Sequence, residues 1–175
     1  MATRRLPVAD ARRGLLRVAA WSMLQDDPAH APYGWSHALT MPQATLGIAP
    51  WCAEPERAVA VAATYVLGFR STLGAVALDP GRRPDARPDL DVHTFLDAGP
   101  TGAASAVWHA PPDEVDGYVE QVVTYAAVHH DAHLAKYTLA CLDASRDDPG
   151  AGRLFLAAAA FLAAWWVERG GDGLS

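Results

Sequence analysis

Along most of the chain, apolar residues recur three and four positions apart in Ala-rich segments, and almost no stretch alternates in the manner of a strand. That pattern predicts an all-α fold. A first helix is expected over about Ala9–Gln25, where Leu15, Leu16, Ala19 and Met23 can share a face before Asp26-Asp27-Pro28 stops it. After a loop at His30–Gly34, Ser36 can cap a helix through about Ile48, with Pro42 in its early turns and Pro50 at its close. Glu54-Pro55-Glu56 opens a third helix reaching about Leu78, its acidic first turn suiting the helix dipole.

The pattern then lapses. Asp79–Asp91 carries Pro, Gly, Arg and Asp without apolar periodicity and reads as an exposed, flexible loop. Leu90–Leu96 can form a short helix, and Gly99–Pro112, which contains Trp108 and His109, reads as a second loop. Helical spacing resumes from about Asp113 to Asp143, with a possible break near His129. It returns after Pro149-Gly150 as a last helix over about Arg153–Glu168, ended by Gly170-Gly171. The expectation is one compact all-α domain, residues 1–175, of five to seven helices. In the last helix Trp165 and Trp166 are adjacent and can hardly point into one core, so either one of them faces a second chain or the helix is buried on two sides.

Composition narrows the classes of partner. A chain of 175 residues that is 51% hydrophobic and 19% charged can bury a real core. A net charge of −6, with no basic block, argues against nucleic acid and anionic membrane surfaces. The longest apolar run, Leu154–Val167, is shorter than the roughly 20 residues of a membrane span. The N-terminal charges have no apolar run behind them, so no secretory signal and a cytoplasmic location are expected. Cys52 and Cys141 stand far apart outside any CxxC pair and read as reduced thiols. There is no Gly-rich nucleotide loop, so no bound nucleotide or flavin is expected.

The candidate chemistry lies in the histidines and in one lysine. Three of seven histidines fall in the window His129-His130-Asp131-Ala132-His133. On a continuous helix His129, His133 and Lys136 would form one stripe at i, i+4 and i+7, with neighbouring Cβ atoms about 5–6 Å apart. Two imidazoles so placed suit one metal ion, and His130 and Asp131 could support them or act as catalytic groups. Imidazole accepts Zn, Fe, Cu or Ni, so spacing alone does not choose the metal. Lys136 is the only lysine beside thirteen arginines. A lysine can do what arginine cannot: lose its proton, and so attack a carbonyl, act as a base or form a carbamate ligand. A second segment, Gly34-Trp35-Ser36-His37-Ala38-Leu39-Thr40-Met41-Pro42, adds His37 to the candidate ligands. Tyr33, Trp35 and Trp108 are candidate pocket walls.

Together these segments resemble the C-terminal half of the questin oxidase-like family. That family carries a His followed by Thr and an apolar helix, here His37-Ala38-Leu39-Thr40-Met41-Pro42-Gln43-Ala44. Later it carries an acidic residue, then His-x-x-Lys, here Asp131-Ala132-His133-Leu134-Ala135-Lys136 followed by Tyr137-Thr138-Leu139-Ala140-Cys141-Leu142. The resemblance spans about Trp35 to Asp143. It implies an all-helical oxygenase of aromatic polyketides that holds non-haem Fe(II), with His37, His133 and a carboxylated Lys136 among the ligands. The family's further histidines lie in an N-terminal half with no counterpart in this sequence. His129 or His130, with His93 or His109, or a partner chain would then complete the shell.

Three functions follow as expectations. The first is a metal-dependent oxidoreductase or oxygenase acting on a small aromatic or apolar substrate, with Fe(II), or Zn or Mn, held by His37, His129, His133 and Lys136. The second is an HD-type phosphohydrolase using His130-Asp131, His37 and a late Asp143 or Asp147. The third is a non-catalytic helical binding protein, a homodimer or the partner of a larger enzyme.

Overall fold

A computed structural model describes residues 8–87 and 90–170. Residues 1–7, Pro88 and Asp89 in the long loop, and Gly171 of the expected terminal glycine pair lie outside the described residues. The described chain is all-helical and forms a single compact domain of seven α-helices. These are α1 (Val8–Gln25), α2 (Ser36–Ile48), α3 (Pro55–Leu73), α4 (Gly99–His109), α5 (Val115–Val128), α6 (Ala132–Asp147) and α7 (Gly152–Glu168).

Helix α7 is the axis of the bundle. It is apolar all round, which a helix tolerates only when neighbours cover every side. Here α4, α6, α1 and α5 do so. Trp165 and Trp166 are both buried, 6% and 1% exposed, as expected of the alternative in which the helix is covered on more than one side. Trp166 turns toward the α5–α6 junction, while Trp165 packs edge-on against it and under Arg169. By length and composition Pro149–Glu168 could cross a membrane, but 67% of its most apolar window is buried within the protein, as in a core helix. Gly170 follows at φ 71, the left-handed turn that commonly ends a helix.

Helix α4 corrects the expected loop at Gly99–Pro112. Gly99, Pro100 and Gly102 looked like loop punctuation, but Pro100 lies at a helix start, where its missing N–H costs nothing. The run Ala103-Ala104-Ser105-Ala106-Val107 is buried, and its small side chains let α4 lie against the equally Ala-rich α7. The third helix also differs. It ends at Leu73, not Leu78, because the chain turns out at Gly74. There Arg70 reaches back to the carboxylate of Asp26 and across to the Val76 carbonyl.

Helices α1, α2 and α3 pack on one another, and α2 packs on α6. Between α1 and α2 the expected loop at residues 30–34 is instead a 3-10 turn (Pro28–His30) and a π-turn (Ala31–Trp35) that runs straight into α2. Ser36 is therefore inside a helix rather than its cap, and its hydroxyl donates to the Pro32 carbonyl at 2.5 Å. Gly34 sits tightly in that π-turn, since a Cβ there would stand 2.5 Å from Leu73 Cδ1, the end of a flexible side chain, and 3.1 Å from His30 Cβ. Among the described residues of 74–94 there is no regular helix, and Arg83 lies over the rings of Trp21 and Trp108. Both cysteines are free: Cys52 is exposed, and Cys141 is buried beside Tyr137, where burial pushes its thiol pKa up.

Candidate functional site

The histidine window sits at a break, not on a continuous helix. Helix α5 ends at Val128; His129 is extended at φ −71, ψ 139, and Asp131 at φ −84, ψ 113 caps the next helix. The stripe of His129, His133 and Lys136 is thereby undone, since only His133 and Lys136 share α6. The reason is local. Asp131 is a strong N-cap residue whose side chain accepts the His133 backbone N–H at 2.7 Å, so the helix restarts there.

What assembles instead is a cluster across the start of α2 and the start of α6. His37 and His133 stand with ring centroids 5.0 Å apart and planes at 83°. The Tyr33 ring meets His133 edge-on at 4.9 Å, and Phe69 of α3 stacks on His37 at 6.4 Å. Asp131 Oδ1 accepts the ring Nδ1–H of His133 at 2.7 Å, and Oδ2 accepts the Tyr33 hydroxyl at 2.8 Å. On the other ring, His37 Nδ1 donates to the Tyr33 backbone carbonyl. A carbonyl and a carboxylate can only accept, so Nδ1 carries a proton in both rings, and in the neutral imidazole Nε2 is the nitrogen with the lone pair.

The electrostatics support that assignment. Burial alone would raise the Asp131 carboxyl. The His133 amide, the Tyr33 hydroxyl and the His133 ring outweigh it and hold the group below the ordinary carboxylate value. The Tyr33 hydroxyl, donating to that carboxylate, is pushed up in turn. Side-chain exposure is 33% for His133 and 13% for Asp131, so the pair is reachable from solvent while its carboxylate is largely enclosed.

His129 and His130 belong to a different cluster. Their rings stack at 4.5 Å, and His129 packs on Tyr125 and Trp166. His129 Nδ1 accepts the Asp131 backbone N–H at 3.1 Å, which leaves its proton on Nε2, buried and without a partner. A ring so held has no lone pair to offer a metal. The expected ligand set of His37, His129, His133 and Lys136 is therefore not brought together. Among the described residues, no three His, Cys, Asp or Glu side chains gather closely enough to hold a metal ion.

Other expected site residues also fall elsewhere. Lys136 is exposed and lines an open groove of about 650 Å³ with Thr40, Gln43 and Leu139. The carboxylated role implied by the resemblance asks for shelter from water that this position does not give. Trp35 is fully enclosed, donating to the Asp27 carbonyl at 3.1 Å, and is core rather than pocket wall. Trp108 packs on Trp21 beneath Arg83. His93 is exposed, and His109 holds the Pro84 carbonyl at 2.7 Å. The HD set does not assemble either. His130 turns to His129 and Trp166, while Asp143 and Asp147 are engaged by Arg146 and Arg12. Of the pocket walls, only Tyr33 reaches the site. Sequence reasoning missed Phe69, which arrives from a third helix with no local signal of its position.

Comparison of the chain with protein-family models, characterised proteins and solved structures finds no match.

Proposed function

We propose that this chain is a metal-dependent oxidoreductase acting on a small aromatic or apolar molecule, with Nε2 of His37 and of His133 as the metal-binding atoms. One observation carries the reading. Two imidazoles on neighbouring helices each have Nδ1 fixed by an oxygen acceptor and Nε2 left free. Metal-ligating histidines are held in that way, with the second nitrogen donating to a carboxylate or a backbone carbonyl. The donor set fits a transition metal through these two rings and without His129. The same two residues are the histidines implicated by the resemblance to the questin oxidase-like family, which puts iron first among the metals. A bound metal would supply Lewis acidity or electron transfer.

The chain's own residues do the rest. Asp131 fixes the tautomer and direction of His133 and balances positive charge at its ring. Tyr33 serves both histidines, through its hydroxyl to Asp131 and its carbonyl to His37. Phe69 lies parallel to His37, ring centres 6.4 Å apart, and gives the site an apolar neighbour. A cytoplasmic location accompanies this proposal.

The test is metal analysis of protein purified without chelator or nickel resin, followed by titration with Fe(II), Zn(II) and Mn(II). Uptake of one equivalent is expected, abolished by His37→Ala or His133→Ala and retained by His129→Ala. Absence of any uptake overturns the proposal. A second reading is favoured by there being only two imidazoles in the cluster. In it, the Asp131–His133 pair acts without metal, Nε2 of His133 taking a proton from substrate as a general base. Turnover that survives exhaustive chelation would select it.

A further inference from the structure

Two contacts fix how α2 and α6 run together. His37 meets His133 at one end, and Gln43 Nε2 donates to the Ala140 carbonyl at 2.9 Å further along. Six residues of α2 thus keep pace with seven of α6, so the two helices advance in the same direction along one seam. One turn beyond the imidazole pair, the seam opens into the groove that holds Thr40, Gln43, Gly47, Lys136 and Leu139. Its far wall carries Arg12 and Arg146, each already neutralised: Arg12 by Asp147 at 2.7 Å, Arg146 by Asp143 at 3.1 Å. Lys136 is the cation in the groove lining that has no acidic partner among the described residues. Beside it, Leu139 is 58% exposed, and a Cβ placed on Gly47 would meet nothing within 4 Å.

Resting on the site reading above, we propose that this groove binds the substrate by an anionic end. The ligand is a small aromatic carboxylate, its carboxylate on Lys136 Nζ as the end nearest His37 and His133, and its apolar ring running away from them onto Leu139 over the open floor at Gly47. The charge pattern favours this class. In a chain of net charge −6, a single unpaired ammonium in a concave surface is a local attractor for one anion and not for a polyanion. The reach is suitable too. The rise from residue 133 to residue 136 of a helix is about 4.5 Å, so an anion held at Lys136 stands about one turn from the imidazoles while the ring extends the other way. Lysine then serves as a point charge.

Fluorescence titration with 1-naphthoate, against the neutral 1-naphthamide, tests the proposal. Wild-type protein should prefer naphthoate by about tenfold or more, the scale of one charge-assisted hydrogen bond. Lys136→Gln should erase the preference, and Lys136→Arg, which keeps the charge but cannot be carboxylated, should retain it. Gly47→Phe, which leaves Lys136 in place, should block both probes by filling the groove. Equal binding of the two probes, or no saturable naphthoate binding to the wild type, overturns the proposal, as does unchanged preference in Lys136→Gln. The double variant His37→Ala/His133→Ala separates this claim from the metal reading. It should lose metal uptake and still bind naphthoate.

Discussion

A single oxygen of Asp131 is bonded twice to His133. Oδ1 accepts both the backbone N–H and the ring Nδ1–H of that residue, each at 2.7 Å. The restart of the helix and the direction of the imidazole are therefore set by one atom. This separates two substitutions. Asp131→Asn keeps an acceptor for the cap and loses the negative charge, so stability should change by less than about 1 kcal/mol. Metal affinity should fall about 10–100-fold. Asp131→Ala should lose the cap as well, costing about 1 kcal/mol more. Urea denaturation and metal titration read the two effects independently. Equal metal affinity in Asp131→Asn and wild type would sink the orienting role.

Asp26 is the second structural carboxylate, with a side chain that is fully enclosed. It accepts from Arg70, from the Ala75 amide at 2.9 Å and from the Asp27 amide at 3.2 Å, and so ties the end of α1 to the end of α3. Removing one partner of a buried pair strands the other, at a cost of about 3–5 kcal/mol. Asp26→Ala should show a loss on that scale in equilibrium denaturation. Arg70→Met, which leaves the carboxylate enclosed and unpaired, should be destabilised too.

Asp26 and Asp148, both with lowered carboxyl pKa, contribute to the acid limit of the fold. At Asp26 burial pushes upward, but the Ala75 amide, Arg70 and the Asp27 amide prevail and hold it below its ordinary 3.8. Asp148 is lowered first by its two-pronged bond to Arg17, at 2.6 and 2.7 Å. A folded-state pKa below the unfolded value binds fewer protons when native, so the stabilisation is complete above the unfolded value. It is lost as pH falls through the lowered folded values. Stability should be flat in these two groups from neutral pH to about 5 and decline below 3.8. In Asp26→Ala the decline should be shallower. Denaturant midpoints measured from pH 7 to pH 2 check the slope.

Arg83 pins the long segment between α3 and α4. Its guanidinium lies 5.1 Å from the Trp108 ring centre and 5.8 Å from that of Trp21. Ser105 and His109 hold the adjoining carbonyls of Asp85 and Pro84 at 2.5 and 2.7 Å. An exposed cation–π contact contributes about 0.5–1 kcal/mol. Arg83→Ala should therefore leave global stability within about 1 kcal/mol of wild type and raise tryptic cleavage after Arg82 by up to about fivefold. Unchanged cleavage would show that Ser105 and His109 hold the segment unaided.

The all-α class and most helix ends were legible because local rules set them. Asp26-Asp27-Pro28 stops α1, Pro55 starts α3, and the apolar run of α7 lies between Pro149 and Gly170. Helix α4 was not legible, since its helicity depends on burial of Ala103–Val107 against α7 and not on its Gly- and Pro-containing start. At the site, His37 and His133 could be singled out from sequence, but their pairing requires α2 to lie on α6. The capping signal of Asp131 was present in the sequence. It outweighed the i, i+4, i+7 spacing because a satisfied cap stabilises a helix start more than a shared histidine face does. Trp165 and Trp166 show the converse limit: adjacent positions on one helix can both be buried when the helix is surrounded.

Gly34 links the π-turn to α3 through space, and a coupled substitution can measure that link. A Cβ at residue 34 would stand 2.5 Å from Leu73 Cδ1, the far end of a flexible side chain, and 3.1 Å from His30 Cβ. Gly34→Ala should destabilise by about 1–3 kcal/mol through overpacking. Part of that cost comes from a methyl group that Leu73→Ala removes. The double variant Gly34→Ala/Leu73→Ala should then be more stable than the sum of the single losses, with a coupling of about 0.5–3 kcal/mol. The His30 contact is at a side-chain root and cannot swing away, so rescue should be incomplete. Because Tyr33 precedes Gly34 in that turn and His37 lies in the first turn of α2 directly after it, Gly34→Ala should also weaken metal uptake, and Leu73→Ala should restore it in step with stability. Full additivity in the double-mutant cycle would show that Leu73 moves aside freely, and the close approach at Gly34 would then not be what holds the Tyr33 carbonyl against His37.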